Sequence, residues 1–138
     1  MAANPLVPNA IGNNRYLLGA NVEAGITATA GGGQANAYGL TAQLSEVLTV
    51  ASGNDSVALP KITPVALGSA TPGQVTMLMF VNNASGNSMQ VFGASPDTIN
   101  DVATGTGVAV PAGKSALFFA YAYTPATNVG EWKMLLGA

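Results

Sequence analysis

The sequence predicts an all-β fold, a jelly-roll-like antiparallel β-sandwich. Roughly eight short segments with an alternating apolar pattern recur about every 10 residues, which is the spacing of strands in a sandwich. Clusters of glycine, proline, asparagine and serine separate them, and these residues form tight turns. At 138 residues the chain has the length of one domain with its own hydrophobic core.

Residues 74–82 form the strand around which the rest is predicted to pack. They are the longest nearly unbroken apolar run, bounded by Pro72-Gly73 and Asn82-Asn83. The run is too short to span a membrane. Because apolar side chains point to both sides, both faces are expected to be covered, as in a central strand. Residues 115–123 have the same character and are the expected neighbour in the sheet.

Three shorter strands are predicted before the central one, over residues 26–29, 47–50 and 57–59. The turn signal Gly53-Asn54-Asp55-Ser56 predicts that the last two form an antiparallel hairpin. Leu40, Leu44 and Val47 also have helical spacing, so the element over residues 39–50 stays open between helix and strand.

The remaining strands are predicted over residues 88–92, 97–100, 107–110, 115–123 and 130–136. A tight turn joins the third and fourth of these, because Pro111 fixes φ and Gly113 can adopt a positive φ. Met89 and Val91 are expected to point inward. The residues predicted to be largely buried are Val75, Met77, Met79, Val91, Leu117 and Phe119.

The chain is predicted to divide into an extended N-terminal arm, residues 1–25, and a β-sandwich domain, residues 26–138. Pro5 and Pro8 favour extended backbone in the arm. Gly12-Asn13-Asn14 then interrupts any regular pattern. In an assembly, an arm of this kind is expected to lie over a neighbouring subunit.

Four residues are the predicted partner contacts. Tyr16, Leu17 and Leu18 form a small apolar anchor at the end of the arm. Trp132 is the fourth, because aromatic residues on strands of alternating pattern belong to cores and interfaces. Trp132 could instead form a sugar-stacking platform with Tyr121 and Tyr123, but the strand pattern favours the first interpretation.

Composition argues against most chemistry. The chain has no histidine and no cysteine, so the commonest general base, the usual zinc ligands and thiolate sites are missing. Gly113-Lys114-Ser115 lacks the spacing and the following helix of a phosphate-binding loop. Asp97 and Asp101 lack the surrounding calcium loop and are interpreted as turn residues. The chain is therefore predicted to be no enzyme, with no catalytic residues, no cofactor and no metal.

Charge argues against some partners and favours others. Four basic residues and a net charge of −2 do not attract nucleic acid. The apolar residues are dispersed and the start of the chain lacks a signal-peptide pattern, so no membrane is expected. Charged residues make up 7% of the chain, against about 25% in an ordinary domain. Such surfaces meet a partner without desolvating ions, which favours an assembly subunit over a monomer that merely has few charges.

From Gly25 to Trp132 the chain resembles the decoration, or cementing, proteins of tailed-bacteriophage heads and related virion-surface modules. The segments that carry the resemblance are residues 25–28, 40–47, 49–51, 55–60, 81–84, 89–92, 97–100 and 111–114, together with Trp132 near the end. These motifs are strands and turns, so the resemblance brings no catalytic residue with it. It implies a jelly-roll-like sandwich bound on the outside of an icosahedral shell.

The resemblance also implies partners and a location. The partners would be the major capsid protein and further copies of the chain, as a homodimer or homotrimer. The protein would be made in the cytoplasm of a bacterial host and would end on the outer surface of the head, where it cements capsid subunits together. The alternative is a receptor- or carbohydrate-binding module of a phage tail fibre, which needs an exposed cluster of aromatic and amide side chains.

Overall fold

The computed structural model describes residues 21–63 and 77–138. This part of the chain forms ten strands and one short helix. The strands are β1 (Val22–Thr27), β2 (Tyr38–Gly39), β3 (Leu44–Thr49), β4 (Ser56–Ala58), β5 (Leu78–Asn83), β6 (Met89–Phe92), β7 (Thr98–Ile99), β8 (Val108–Val110), β9 (Ser115–Thr124) and β10 (Val129–Leu136), and the helix is α1 (Gly33–Asn36).

The strands form two sheets between which the chain alternates. The six-stranded sheet has the order β1-β3-β5-β9-β10-β7, and the four-stranded sheet has the order β2-β4-β6-β8. From β1 to β6 each strand of one sheet is followed by a strand of the other. The chain therefore makes three turns of a flattened coil. In the six-stranded sheet this path pairs β3 in parallel with β1 and with β5. In the four-stranded sheet it pairs β4 in parallel with β2 and with β6.

The prediction of an all-β fold is confirmed, but the sheets are mixed rather than purely antiparallel. Antiparallel pairs occur where β9 joins β5 and β10, and where β8 joins β6. The predicted hairpin across residues 53–56 is wrong, because β3 and β4 lie in different sheets. A chain that changes sheets at each crossing returns to the first sheet in its original direction, and parallel pairing follows. The jelly-roll arrangement is not confirmed.

β5 holds the central place that the sequence predicts for residues 74–82, of which 74–76 lie outside the described residues. It is third in the six-stranded sheet and pairs with β9 in antiparallel register, as expected. Residues 39–50 end in the strand β3. The turn before β9 also forms as predicted, with a φ of 70° at Gly113 and a hydrogen bond from the Lys114 amide to the Pro111 carbonyl.

One hydrophobic core lies between the two sheets. The six-stranded sheet contributes Met79, Val81, Phe118 and Trp132, among others, and the four-stranded sheet contributes Val57, Met89, Val91 and Val110. Phe118 pairs with Met79 on one side and Met134 on the other. The inward orientation predicted for Met89 and Val91 is confirmed.

The predicted core residues on β9 are wrong by one position. Ala116, Phe118 and Ala120 are the buried side of this strand, whereas Leu117 and Phe119 are only partly buried on its other side. Alternation identifies two faces of a strand, but β9 is apolar on both, so the pattern does not select the inner one. Of the other predictions, Met79 is buried, Met77 is partly buried, and Val75 lies outside the described residues.

The predicted arm also falls largely outside the described residues, including Tyr16, Leu17 and Leu18. β1 begins at Val22, so residues 22–25 belong to the edge of the six-stranded sheet.

Asp55 holds the connection between β3 and β4 as the turn residue that the sequence predicts. Its carboxylate accepts hydrogen bonds from the amides of Ala51 and Ser52, from the Ser52 hydroxyl and from the Gly31 amide. The Ser52 hydroxyl, supported by these amides, lowers the pKa of Asp55 below its ordinary value of 3.8. These bonds favour the ionised carboxylate.

Asp55 should therefore make stability depend on pH. Since the pKa is lower in the folded state, the stabilisation is present above the unfolded value and is lost as pH falls through the folded one. Asp55→Asn is expected to lower the urea midpoint at pH 7, and the gap between variant and wild type should shrink below about pH 4. An equal gap at pH 7 and pH 3 would contradict this role.

Candidate functional site

The outer side of β5 is exposed, contrary to the prediction that both of its faces are covered. Met79 and Val81 point into the core, whereas Leu78 and Phe80 point outward and are 47% and 42% exposed. An apolar strand at the centre of a sheet normally has a layer on each side. The described residues supply a layer on one side only, so this outer face is the candidate functional surface.

Strand register aligns five apolar side chains across the outer face. Val22 pairs with Leu44, Leu44 with Phe80, Phe80 with Leu117, and Leu117 with Leu135. Neighbouring strands are about 4.8 Å apart, so this central row is about 19 Å long. Its residues come from β1, β3, β5, β9 and β10, which are far apart in the sequence.

Further apolar side chains widen the central row. Leu78 pairs with Phe119 one step along the strands, and Tyr121 follows on β9 with 46% of its surface exposed. Isolated exposed leucines are ordinary on protein surfaces, but a contiguous patch of this kind marks an interaction site.

A polar row borders one side of the central row. Glu46 pairs with Asn82, and Asn82 with Ser115, whose hydroxyl donates a hydrogen bond of 2.9 Å to Asn82 Oδ1. Together with Val22, Leu44, Ser45 and Phe80 these residues line a hollow of about 360 Å³. The hollow therefore combines an aromatic ring with amide, carboxylate and hydroxyl groups.

Charges on the opposite border compensate one another. Lys133 Nζ lies 2.6 Å from Asp101 Oδ2 and 3.1 Å from Glu131 Oε1, and 5.1 Å from the centre of the Tyr121 ring. Burial, and then Asp101, raise the pKa of Glu131. Hydrogen bonds to Asp101 and Glu131 raise the pKa of Lys133. A partner that covers this border does not have to neutralise an isolated lysine.

Trp132, a predicted partner contact, lies on the opposite side of the sheet. It is 0% exposed and belongs to the core, so the prediction that it contacts a partner is corrected. Its Nε1 has no hydrogen-bond partner among the described residues. It also does not form a platform with Tyr121, which points outward.

The sequence did contain a signal for the outer face. A strand that is apolar on both sides needs two covering layers, and the predicted sandwich supplies one. The five residues of the central row come together through pairing of strands that are far apart in the sequence. The sequence analysis therefore did not identify them as a site.

Asp97 is the most buried carboxylate away from this face, and its role is structural. Its oxygens accept hydrogen bonds from the amides of Ile62 and Gly130, both at 2.7 Å, and Lys61 Nζ lies 2.5 Å away. Asp97 therefore joins the segment after β4 to the start of β10. This corrects the prediction that it is a turn residue bonding its own backbone. The glycine at position 130 lets this part of β10 lie close to Ile62, since a Cβ there would collide with the Ile62 side chain.

Among residues 21–63 and 77–138, no three acidic side chains come together in an arrangement that could hold a metal ion. No helix in these residues has the length and apolar character to cross a membrane.

Comparison with protein-family models, with curated proteins and with solved structures found no match to this chain.

Proposed function

We propose that the protein is a non-catalytic structural protein of a phage virion, which binds the outside of the head and cements capsid subunits together. The observation that carries the proposal is the exposed apolar outer face of the six-stranded sheet. The resemblance from Gly25 to Trp132 to head decoration proteins and the low content of charged residues point in the same direction.

The physical demands on such a protein agree with this surface. A cementing protein needs faces that complement its own copies and the shell, and it needs no reactive group. Each contact can be weak, because neighbouring contacts on one particle raise the effective concentration of the next. A protein that binds only the intact shell stabilises the shell by mass action.

The N-terminal arm is the proposed second contact. Tyr16, Leu17 and Leu18 would anchor it on a neighbouring subunit or on the major capsid protein. The described end of the arm lies beside the end of the central row, where the Leu44 amide donates a hydrogen bond to the Asn21 carbonyl. The location of the protein would be the outer surface of the head, after synthesis in the bacterial cytoplasm.

Heads stripped of the protein are expected to lose integrity at a lower temperature than decorated heads, and adding the purified protein back should restore the difference. Rebinding should change little between low and high salt, because an apolar contact is not screened as an ionic one is. Calorimetry of the particles and co-sedimentation measure both effects, with an unrelated protein of similar size as control. Equal melting of stripped and decorated heads would refute cementing.

The hollow beside Phe80 favours a second candidate, a carbohydrate- or receptor-binding module of a tail fibre. An aromatic face next to amide, carboxylate and hydroxyl groups suits a sugar ring. A glycan array with the purified protein separates the two functions. Binding that is lost in Glu46→Gln but retained in Glu131→Gln, which changes a carboxylate outside the hollow, would favour the fibre module.

A further inference from the structure

We infer that the outer face of the six-stranded sheet is a self-association surface, on which two copies of the chain pack face to face. The inference concerns the isolated protein and goes beyond the proposed function. It rests on the order of residues along the central row, on the size of the face and on the position of its polar groups.

The central row is nearly palindromic. Phe80 is in the middle, Leu44 and Leu117 flank it, and Val22 and Leu135 stand at the ends. A two-fold axis along β5 turns the sheet over and exchanges the two halves of the row. Leu44 then faces Leu117 of the second copy, Val22 faces Leu135 of the second copy, and the two Phe80 rings meet near the axis. The strands of the two sheets stay roughly aligned, as in the common packing of one sheet on another.

The polar row also complements itself about the same axis. Glu46 comes to lie opposite Ser115 and next to Asn82 of the second copy. The side-chain amide of Asn82 has N–H groups that can donate hydrogen bonds to a carboxylate. The cluster of Lys133, Glu131 and Asp101 stays at the border, where the lysine is already paired with both carboxylates. Glu46 has no ion pair among the described residues, so within the contact its carboxylate would be satisfied by the Asn82 amide of the second copy rather than by an opposite charge.

The area is sufficient for a specific dimer. Five strands about 4.8 Å apart, with three outward residues about 6.8 Å apart on each, make a patch of roughly 500 Å². Two such patches bury about 1,000 Å² in total, which reaches the lower limit of specific interfaces. A single flat patch that covers itself requires a two-fold axis, whereas a trimer needs two different patches on each copy. The face therefore specifies a dimer.

A dimer suits cementing, and this link alone rests on the proposed function. In the dimer the outer face contacts the second copy, so the shell contact falls to the N-terminal arm, the second contact of the proposed function. Two-fold symmetry presents two arms, so one dimer can bridge two capsid subunits. Self-association is measured without heads, and head binding is measured separately. Failure of one proposal is therefore distinguishable from failure of the other.

The test is sedimentation of the full-length protein over a range of concentrations. The wild type is expected to be a dimer. Phe80→Lys should weaken the dimer by roughly 100-fold or more, because it sets two like charges against each other at the axis. Ala109→Lys adds the same charge on β8 of the other sheet, where the side chain is exposed, and should leave the dimer intact. Circular dichroism confirms that both variants are folded.

A cross-linking measurement covers the case in which Phe80→Lys does not fold. The chain has no cysteine, so Asn82→Cys places one thiol per copy near the axis and leaves the apolar row unchanged. Facing sheets pack about 10 Å apart, so a short bifunctional maleimide should join two copies of Asn82→Cys but not two copies of Ala109→Cys. A monomeric wild type, a dimer unaffected by Phe80→Lys, or equal cross-linking of both cysteine variants would overturn the inference. The face would then be covered by residues 1–20 of the same chain or by the shell.

Discussion

Replacing Phe118 by alanine is expected to lower the free energy of unfolding by about 3–5 kcal/mol, the usual cost of truncating a core aromatic residue. Phe118 is 0% exposed and lies between Met79 and Met134 in the middle of the six-stranded sheet. Its removal leaves a cavity that strands paired on both sides cannot readily close. Urea denaturation followed by tryptophan fluorescence measures the change.

The neighbouring phenylalanine is the matched control. Phe119 stands on the outer face of the same strand and is only partly buried, so Phe119→Ala should cost about 1 kcal/mol, a fraction of the full burial term. The comparison should be made at a concentration below that of self-association, because Phe119 belongs to the exposed face. Equal costs for the two substitutions would mean that the inner and outer sides of β9 are wrongly assigned.

The second large effect is expected at Asp97. Asp97→Asn should lower the free energy of unfolding by about 3–5 kcal/mol, as when one partner of a buried ion pair is removed. The substitution replaces an acceptor oxygen by an N–H donor that faces other donors, namely the amides of Ile62 and Gly130 and the ammonium of Lys61. The Asp97 side chain is 0% exposed, so water cannot take the place of the lost acceptor.

Asp101→Asn tests whether burial is the reason. Asp101 also pairs with a lysine, at 2.6 Å from Lys133, but its side chain is 73% exposed. Exposed ion pairs contribute little to stability because water and salt screen them. Asn also tolerates the positive φ of 62° at this position. The free energy of unfolding should therefore stay almost unchanged, and a loss as large as that of Asp97→Asn would refute the role of burial.

The outer face connects these stability arguments to function. Phe118 and Trp132 hold the six-stranded sheet on its inner side, whereas Phe80 and Leu117 lie on the opposite side of neighbouring strands with no described layer above them. A sheet held on one side is a rigid platform for a partner on the other. Substitutions on the inner side should therefore lower the free energy of unfolding, and substitutions on the outer side should mainly weaken the association with a partner.

Local signals in the sequence determined the positions of several strands and of the turn before β9. Alternation over residues 88–92 and 130–136 predicted β6 and β10 to within a residue, because the period of two is a property of each strand. Pro111 and Gly113 predicted the turn before β9, because both act through their own backbone geometry. The apolar character of residues 74–82 and 115–123 also predicted the pairing of β5 with β9.

Only the tertiary structure decided which strands share a sheet, which sides face the core and what the polar groups bind. The parallel pairs of β1, β3 and β5 depend on a chain that crosses between the two sheets. A turn such as residues 53–56 has the same composition whether it joins two strands of one hairpin or two strands in different sheets. β9 is apolar on both sides, so packing against the four-stranded sheet buries Phe118 rather than Phe119. Asp97 meets Lys61 and Gly130 only once distant segments come together, because long-range contacts leave no local pattern in the residues that make them.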